Sequence, residues 1–340
     1  MRAFVIDGPR SGRVAEVDPP TPGPGQVVVD VTRVGLCGTD VELFAGTMVY
    51  LQSGDQRAPM VPGHEWVGRV AQIGPGVTTV EPGRRVTGDT MLGCLRCDRC
   101  RNGRHHVCDD RFEIGIRGNW PGALAEQLLV PATALRELPG SVDDAAAALV
   151  EPGGCAWRAV EAAGVGPGNT ACVYGPGTLG LLTLHFLVAR GVAVDVVGLD
   201  ATSLELATMM GANAVHRAGS QPNTRYDAVI DTSTGADVPG TALRHVTPSG
   251  RLVLVGVAET PSVVDLRQVV IGDIKVIGIL AASAGLDATI REFSTRQIPT
   301  DLLVGATVAL DQVADVLAGK RPAHAGPGPK IQVDPRQGDQ

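Results

Sequence analysis

The first part of the chain alternates short apolar runs with turn residues. Residues 1–6 read as a first strand, and 27–31, 67–73 and 125–130 are further β-type runs. Between them stand Pro22-Gly23-Pro24-Gly25, Gly74-Pro75-Gly76 and Pro82-Gly83, residues that set turns. Short strands with frequent turns predict a β-rich, barrel-like domain. Near residue 150 the texture changes. Strand patterns at 171–174 and 193–199 alternate with helical patterns at 178–190 and 202–210, and further strands follow at 228–230, 252–257 and 275–279. That alternation predicts a doubly wound parallel sheet with helices on both faces, an α/β architecture. Beyond about residue 290 a helix at 312–317 and a strand at 330–333 precede a frayed tail at 337–340.

Three clusters carry chemistry. Cys94, Cys97, Cys100 and Cys108 lie in one short loop. Four thiolates at such spacing fit a tetrahedral structural zinc site, against a disulfide pair or scattered buried thiols. Downstream, Gly175-Pro176-Gly177-Thr178-Leu179-Gly180 is a G-x-G-x-x-G run between an apolar strand and an apolar helix. Such a loop lets a pyrophosphate approach the backbone at a helix N-terminus. Asp200 ends the next strand, where a carboxylate accepts bonds from ribose hydroxyls and repels a 2′-phosphate, so NAD is favoured over NADP. Upstream, Gly35-Leu36-Cys37-Gly38-Thr39-Asp40, Gly63-His64-Glu65 and Val150-Glu151-Pro152 supply a thiolate, an imidazole and two carboxylates. A catalytic zinc needs three protein ligands and an open position. Cys37 and His64 are the first two, and the third is Glu151, with Glu65 alternating or standing behind it.

Composition narrows the partners. The chain has 340 residues, 44% hydrophobic and 19% charged, with a formal charge of −7. No basic block points to nucleic acid or anionic membrane, and no apolar run approaches the ~18 residues that span a bilayer. The N-terminal apolar run is too short for a signal peptide, and free cysteines fit a reducing compartment, so a cytoplasmic protein is expected. Only Lys275, Lys320 and Lys330 are lysines. That usage points to a GC-rich, actinobacterial-type genome, and so admits a step in aminoglycoside-type antibiotic biosynthesis.

Taken in order, G-L-C-G-T-D, G-H-E-x-x-G, the four-cysteine lobe, E-P and G-P-G-T-L-G resemble the zinc-dependent medium-chain dehydrogenase/reductase family, over about residues 1–335. Glutamate as third ligand resembles the polyol/sugar branch, with sorbitol, glucose and threonine dehydrogenases. The resemblance implies a GroES-like catalytic domain at 1–152 and 291–340, carrying a zinc lobe at 89–112. It implies an inserted Rossmann NAD-binding domain at 153–290, an active site in the cleft between them, and a homodimer or homotetramer pairing Rossmann edge strands near 272–280. The expected reaction is oxidation of a secondary alcohol of a sugar, polyol, amino sugar or aminocyclitol to a ketone. Thr39 takes the hydroxyl proton and Glu42, at a position where the family often has histidine, passes it on.

The sequence also departs from the family at Pro82-Gly83-Arg84-Arg85-Val86 and in a longer, polar segment at 51–57. That segment either lines a pocket for a hydroxyl-rich substrate or is a solvated loop. Phe44, Tyr50, Trp66 and Trp120 are candidate pocket residues. The alternatives are a threonine or amino-alcohol dehydrogenase, with Arg57 or Arg117 binding a carboxylate, a zinc-free NADPH reductase, and a non-catalytic protein on a retired scaffold.

Overall fold

The structure is a computed structural model and describes residues 1–296 and 298–338. The chain forms two compact units. One comprises Met1–Glu151, Leu286–Gly326 and the chain from Lys330 onward, and the other comprises Pro152–Gly285 and Pro327–Pro329.

The first unit is β-rich. Its seven-stranded sheet runs, in spatial order, Val304–Ala309, Lys330–Asp334, Gln26–Leu36, Glu65–Ile73, Arg85–Gly88 and Leu135–Glu137, and Gln127–Pro131 also pairs with Gln26–Leu36. The central strand Gln26–Leu36 has Val27, Val29, Val31 and Val34 wholly buried, each worth about 1.5–3 kcal/mol of apolar burial. Its far end matters most for function. There Gly35 faces Glu65 on one side, and Leu36 faces Ile331 on the other. The strand returning from the C-terminal part of the chain therefore lies against the residue that precedes Cys37. The N-terminal run forms the hairpin Arg2–Gly8 and Ser11–Glu16.

The second unit is a six-stranded sheet whose paired strands are all parallel. Its order is Ala214–Arg217, Ala193–Gly198, Thr170–Tyr174, Tyr226–Asp231, Val246–Leu254 and Lys275–Gly278. Thr170–Tyr174 is the strand from which the winding reverses, and ligands of such sheets bind beyond the carboxyl end of the strands at that point. The glycine loop follows it directly. Helix Thr178–Ala189 is apolar around most of its surface and largely buried, as a helix covering the sheet requires.

Two elements escape the hydrophobic pattern. Helix Val150–Ala163 contains Pro152, Gly153 and Gly154, which read as breakers, yet proline is tolerated in a helix's first turn. Strand Ala214–Arg217 is short and ends in His216 and Arg217, the polar composition of a sheet edge. Of the tail read as frayed, Gln337 still donates its amide to the Asp334 carbonyl at 3.2 Å, and residues 339–340 lie outside the described residues. Among the described residues, no helix is long and apolar enough to cross a membrane.

Candidate active site

Antiparallel pairing of Gly35 with Glu65 sets Cys37 beside His64. Cys37 Sγ lies 3.2 Å from His64 Nε2, and Glu65 brings a carboxylate oxygen within 4.8 Å of both. Glu151, in the first turn of helix Val150–Ala163, is buried nearby but stands outside this trio. Asp40 ties the corner together. Its wholly buried carboxylate accepts the Cys37 amide at 3.0 Å and the Gly63 amide at 3.1 Å. It stands 3.7 Å from His64 Nδ1, a buried atom with no hydrogen-bond partner. Metal-binding histidines commonly turn their second nitrogen toward a carboxylate in this way.

The charges in this corner call for a cation. Burial alone would push the His64 imidazole down, but the Cys37 sulfur and the Asp40 and Glu151 carboxylates hold it well above the ordinary histidine value. Glu151 is pushed up to about 7 by burial; His64 draws it down, and Glu65 and Asp89 push it up. A half-buried thiol beside a buried imidazole and carboxylate, with surplus negative charge around them, fits zinc bound by three protein ligands. On helix Gly38–Ala45, the Thr39 amide donates to Cys37 Sγ at 3.3 Å, and Glu42 is half-buried one turn further on.

The four-cysteine loop closes on itself. Cys94 and Cys100 sulfurs are 4.0 Å apart, and those of Cys97 and Cys108 are 3.7 Å apart. A tetrahedron with Zn–S arms of about 2.3 Å has edges of about 3.8 Å, whereas a disulfide would bring sulfurs to about 2.05 Å. All seven cysteines are free thiols. The Arg96 and Cys97 amides draw Cys94 down to about 6, while burial and neighbouring thiols push Cys100 up to about 12. Four crowded thiols ionise together only around a metal, so this loop fits a structural zinc.

In the second unit Gly175 has φ +88°, a left-handed turn that glycine adopts freely. A Cβ on Gly180 would lie 2.1 Å from the Gly175 carbonyl oxygen, so helix and loop meet as closely as glycine allows. Gly177, the N-cap of helix Thr178–Ala189, faces open space. That opening, beside the free amides of a helix start, fits a pyrophosphate. Pro176 packs against Gly198 at the end of the neighbouring strand. Asp200 is exposed as the N-cap of helix Ala201–Met209, and Ser203 donates to its two oxygens from the amide at 2.8 Å and from Oγ at 2.6 Å. Those bonds hold the carboxyl below its ordinary value, ionised and fixed at the strand end.

The sequence matches the alcohol dehydrogenase GroES-like domain over residues 23–140 and the zinc-binding dehydrogenase domain over 178–296. It is 33% identical to the L-threonine 3-dehydrogenase of Pyrococcus horikoshii over 272 residues, 76% of each chain. The chain belongs to the zinc-containing medium-chain alcohol dehydrogenase family. A zinc-binding dehydrogenase of Sinorhizobium meliloti 1021, solved with NADP, superimposes with a TM-score of 0.88 at 28% identity, covering 98% of this chain and 99% of that one. An alcohol dehydrogenase of Escherichia coli CFT073, solved with NADH, gives 0.88 at 25% identity with the same coverage. This alcohol dehydrogenase thus combines a GroES-like domain with a Rossmann-type parallel sheet, and its cofactors are zinc and a nicotinamide dinucleotide.

The structure corrects two of the four aromatic pocket residues expected from the sequence, Phe44 and Trp66. Phe44 and Trp66 are buried in the apolar core of the first unit. Trp120 packs on that core and donates Nε1–H to the Leu129 carbonyl at 2.9 Å. Tyr50 is engaged by Glu113 and Arg111, each 3.0 Å from its hydroxyl. Large aromatics are drawn to the core by area alone, which a sequence does not distinguish from pocket lining.

Sequence reading also missed Lys330. Its Nζ lies 2.8 and 2.7 Å from the two Glu65 oxygens and 2.8 Å from the Leu36 carbonyl, with both side chains 3% exposed. The available signal was one of only three lysines, standing at the start of a short strand whose Ile331 and Val333 read as core. Breaking a buried pair leaves one charge without compensation, a cost of about 3–5 kcal/mol. We expect Lys330→Met to destabilise the chelator-treated enzyme by about that amount, and by clearly less once zinc offers Glu65 another cation. Urea unfolding with and without EDTA measures this, and equal losses in both states would contradict it.

Proposed function

We propose that this enzyme oxidises a secondary alcohol of a neutral, polyhydroxylated substrate, a sugar or polyol, to a ketone with NAD. The carrying observation is the convergence of Cys37 Sγ and His64 Nε2 at 3.2 Å with a Glu65 oxygen within 4.8 Å of both. Amino sugars and aminocyclitols, whose amines are cationic near neutral pH, form a separate class and are included in the test below.

Cys37, His64 and Glu65 hold the reactive metal, with Glu151 as the carboxylate that can replace Glu65. When bound, zinc supplies a Lewis acid that lets an alcohol ionise near neutral pH, and NAD supplies the hydride acceptor. Asp40 keeps the Cys37 and His64 loops in register. Lys330 balances Glu65 and limits how far that carboxylate swings. Thr39 relays the hydroxyl proton, its Oγ1 accepting it while giving up its own, and Glu42 is the final acceptor. The amides of Thr178 and Leu179 receive the pyrophosphate, and Asp200 receives the ribose hydroxyls. Its fixed negative charge disfavours a 2′-phosphate.

The second reading is a threonine dehydrogenase, favoured by the identity to the Pyrococcus enzyme. A threonine carboxylate needs an uncompensated cation. Arg111 is bound by Glu113 at 2.8 Å, and Arg117 lies 3.4 Å from Asp55 and over the Tyr50 ring. Arg57, the other cation considered for that role, is exposed, binds Asn119 only through its amide and has no ion pair among the described residues. The neutral reading is therefore supported by the compensation of Arg117, while Arg57 stays open to a threonine carboxylate.

The enzyme further forms a homodimer or homotetramer through the second unit. Strand Lys275–Gly278 is a sheet edge, and Leu266, Val270, Ile271 and Val276 expose apolar surface beside it, the kind of surface that marks an association site.

NADH formation is measured against polyols, hexoses, amino sugars, aminocyclitols and L-threonine, with NADP run in parallel. Turnover is expected with a neutral polyhydroxylated alcohol and NAD, and Cys37→Ala or His64→Ala abolishes it while NADH binding persists. Turnover confined to threonine would establish the second reading. For assembly, light scattering is expected to give a dimer or tetramer that Ile271→Asp shifts toward monomer; a wild-type monomer rejects the interface.

A further inference from the structure

Asp89 and His105 make a contact that the chemistry above leaves unused. His105 lies on the zinc lobe, in the short turn His105–Val107 just before Cys108. Its Nε2 is 2.7 Å from Asp89 Oδ2. Asp89 follows strand Arg85–Gly88 and is 3% exposed. Its other oxygen accepts the Met91 amide at 3.0 Å, and its own amide donates to the Ala134 carbonyl at 2.9 Å. The next residue, Thr90, donates from Oγ1 to the His64 carbonyl at 3.3 Å and accepts the Ile114 amide at 3.0 Å. The lobe is seated tightly here: a Cβ on Gly93 would lie 2.7 Å from both Cys100 Sγ and His105 Cβ. Contacts therefore run from His105 through Asp89 and Thr90 to the backbone of His64, and Gly93 seats Cys100 and His105 on the same stretch of lobe backbone.

We propose that His105 is a positioning residue for the catalytic corner: by holding Asp89 it fixes residues 89–91, and through Thr90 it fixes the backbone that presents His64. The inference rests on the reading that Cys37 and His64 hold the reactive metal. Removing the imidazole takes a donor from a carboxylate that water reaches poorly, so the segment shifts to regain one. The four-cysteine lobe then contributes to catalysis by geometry as well as to stability.

The test uses the zinc-loaded full chain as wild type, His105→Phe, His105→Gln, Thr90→Val and the double variant His105→Phe/Thr90→Val. Outer contacts of metal ligands are worth about 10–100-fold in activity, so kcat in His105→Phe and Thr90→Val is expected to fall about tenfold or more. The KM for NAD stays near wild type, and the double variant is no worse than either single one, because both act on one path. His105→Gln, whose amide can donate to Asp89, recovers most of the rate. Zinc content stays at the wild-type value, which separates positioning from loss of the lobe.

A readout independent of turnover uses Co²⁺ in place of zinc. Visible bands that vanish in Cys37→Ala belong to the catalytic corner; they are expected to shift in His105→Phe and to return in His105→Gln. Wild-type kcat and bands in His105→Phe, additive losses in the double variant, or a rate loss that tracks loss of lobe metal would each overturn the proposal. Failure of the metal-site reading shows itself separately, as retained turnover in Cys37→Ala.

Discussion

Negative charge confined in a buried corner governs the catalytic unit. Cys37, Asp40, Glu65 and Glu151 surround one imidazole, and water reaches none of the three carboxylates well. Like charges this close repel strongly where solvent cannot screen them. The protein answers with two cations of different kinds. Lys330 is built in, clamped on Glu65 from across strand Gln26–Leu36. The other is the metal that the donor set of Cys37, His64 and Glu65 is shaped to take. Backbone pairing makes this corner possible: strand Gln26–Leu36 has Glu65–Ile73 on one side and Lys330–Asp334 on the other. Residues near 37, 65 and 330 meet because their strands are neighbours.

The dinucleotide loop solves the opposite problem. It offers partial positive charge at a helix start and removes side chains that would keep an anion away. Gly177 opens onto space, and Gly180 lets the helix sit against the turn. Ser203 fixes the Asp200 carboxylate on the adjoining strand end. Each cofactor thus meets a site of complementary charge, assembled from a strand end and the first turn of a helix.

Much of this was legible in the sequence because the chemistry was local. The four cysteines fall within one loop, and the glycines within one turn. The alternation of strand and helix patterns located the parallel sheet, although helix Val150–Ala163 was hidden by Pro152 and its glycines, and Ala214–Arg217 by its polar edge composition. What the sequence did not reveal depends on tertiary neighbours. Lys330 is separated by 265 residues from the carboxylate it holds. Asp40 stands in a motif that was noticed, yet its bonds to the Cys37 and Gly63 amides follow from where two loops meet. Phe44 and Trp66 carried aromatic rings that suit a pocket or a core equally well, and burial decided for the core.

Anomalous diffraction at the zinc edge, from crystals of the enzyme grown with zinc and NAD, examines the charge argument most directly. Two peaks per chain are expected, one enclosed by the sulfurs of Cys94, Cys97, Cys100 and Cys108, and the other bonded to Cys37 Sγ and His64 Nε2. A single peak at the cysteine lobe, with Cys37 and His64 bound to nothing but each other in zinc-saturated crystals, would contradict it.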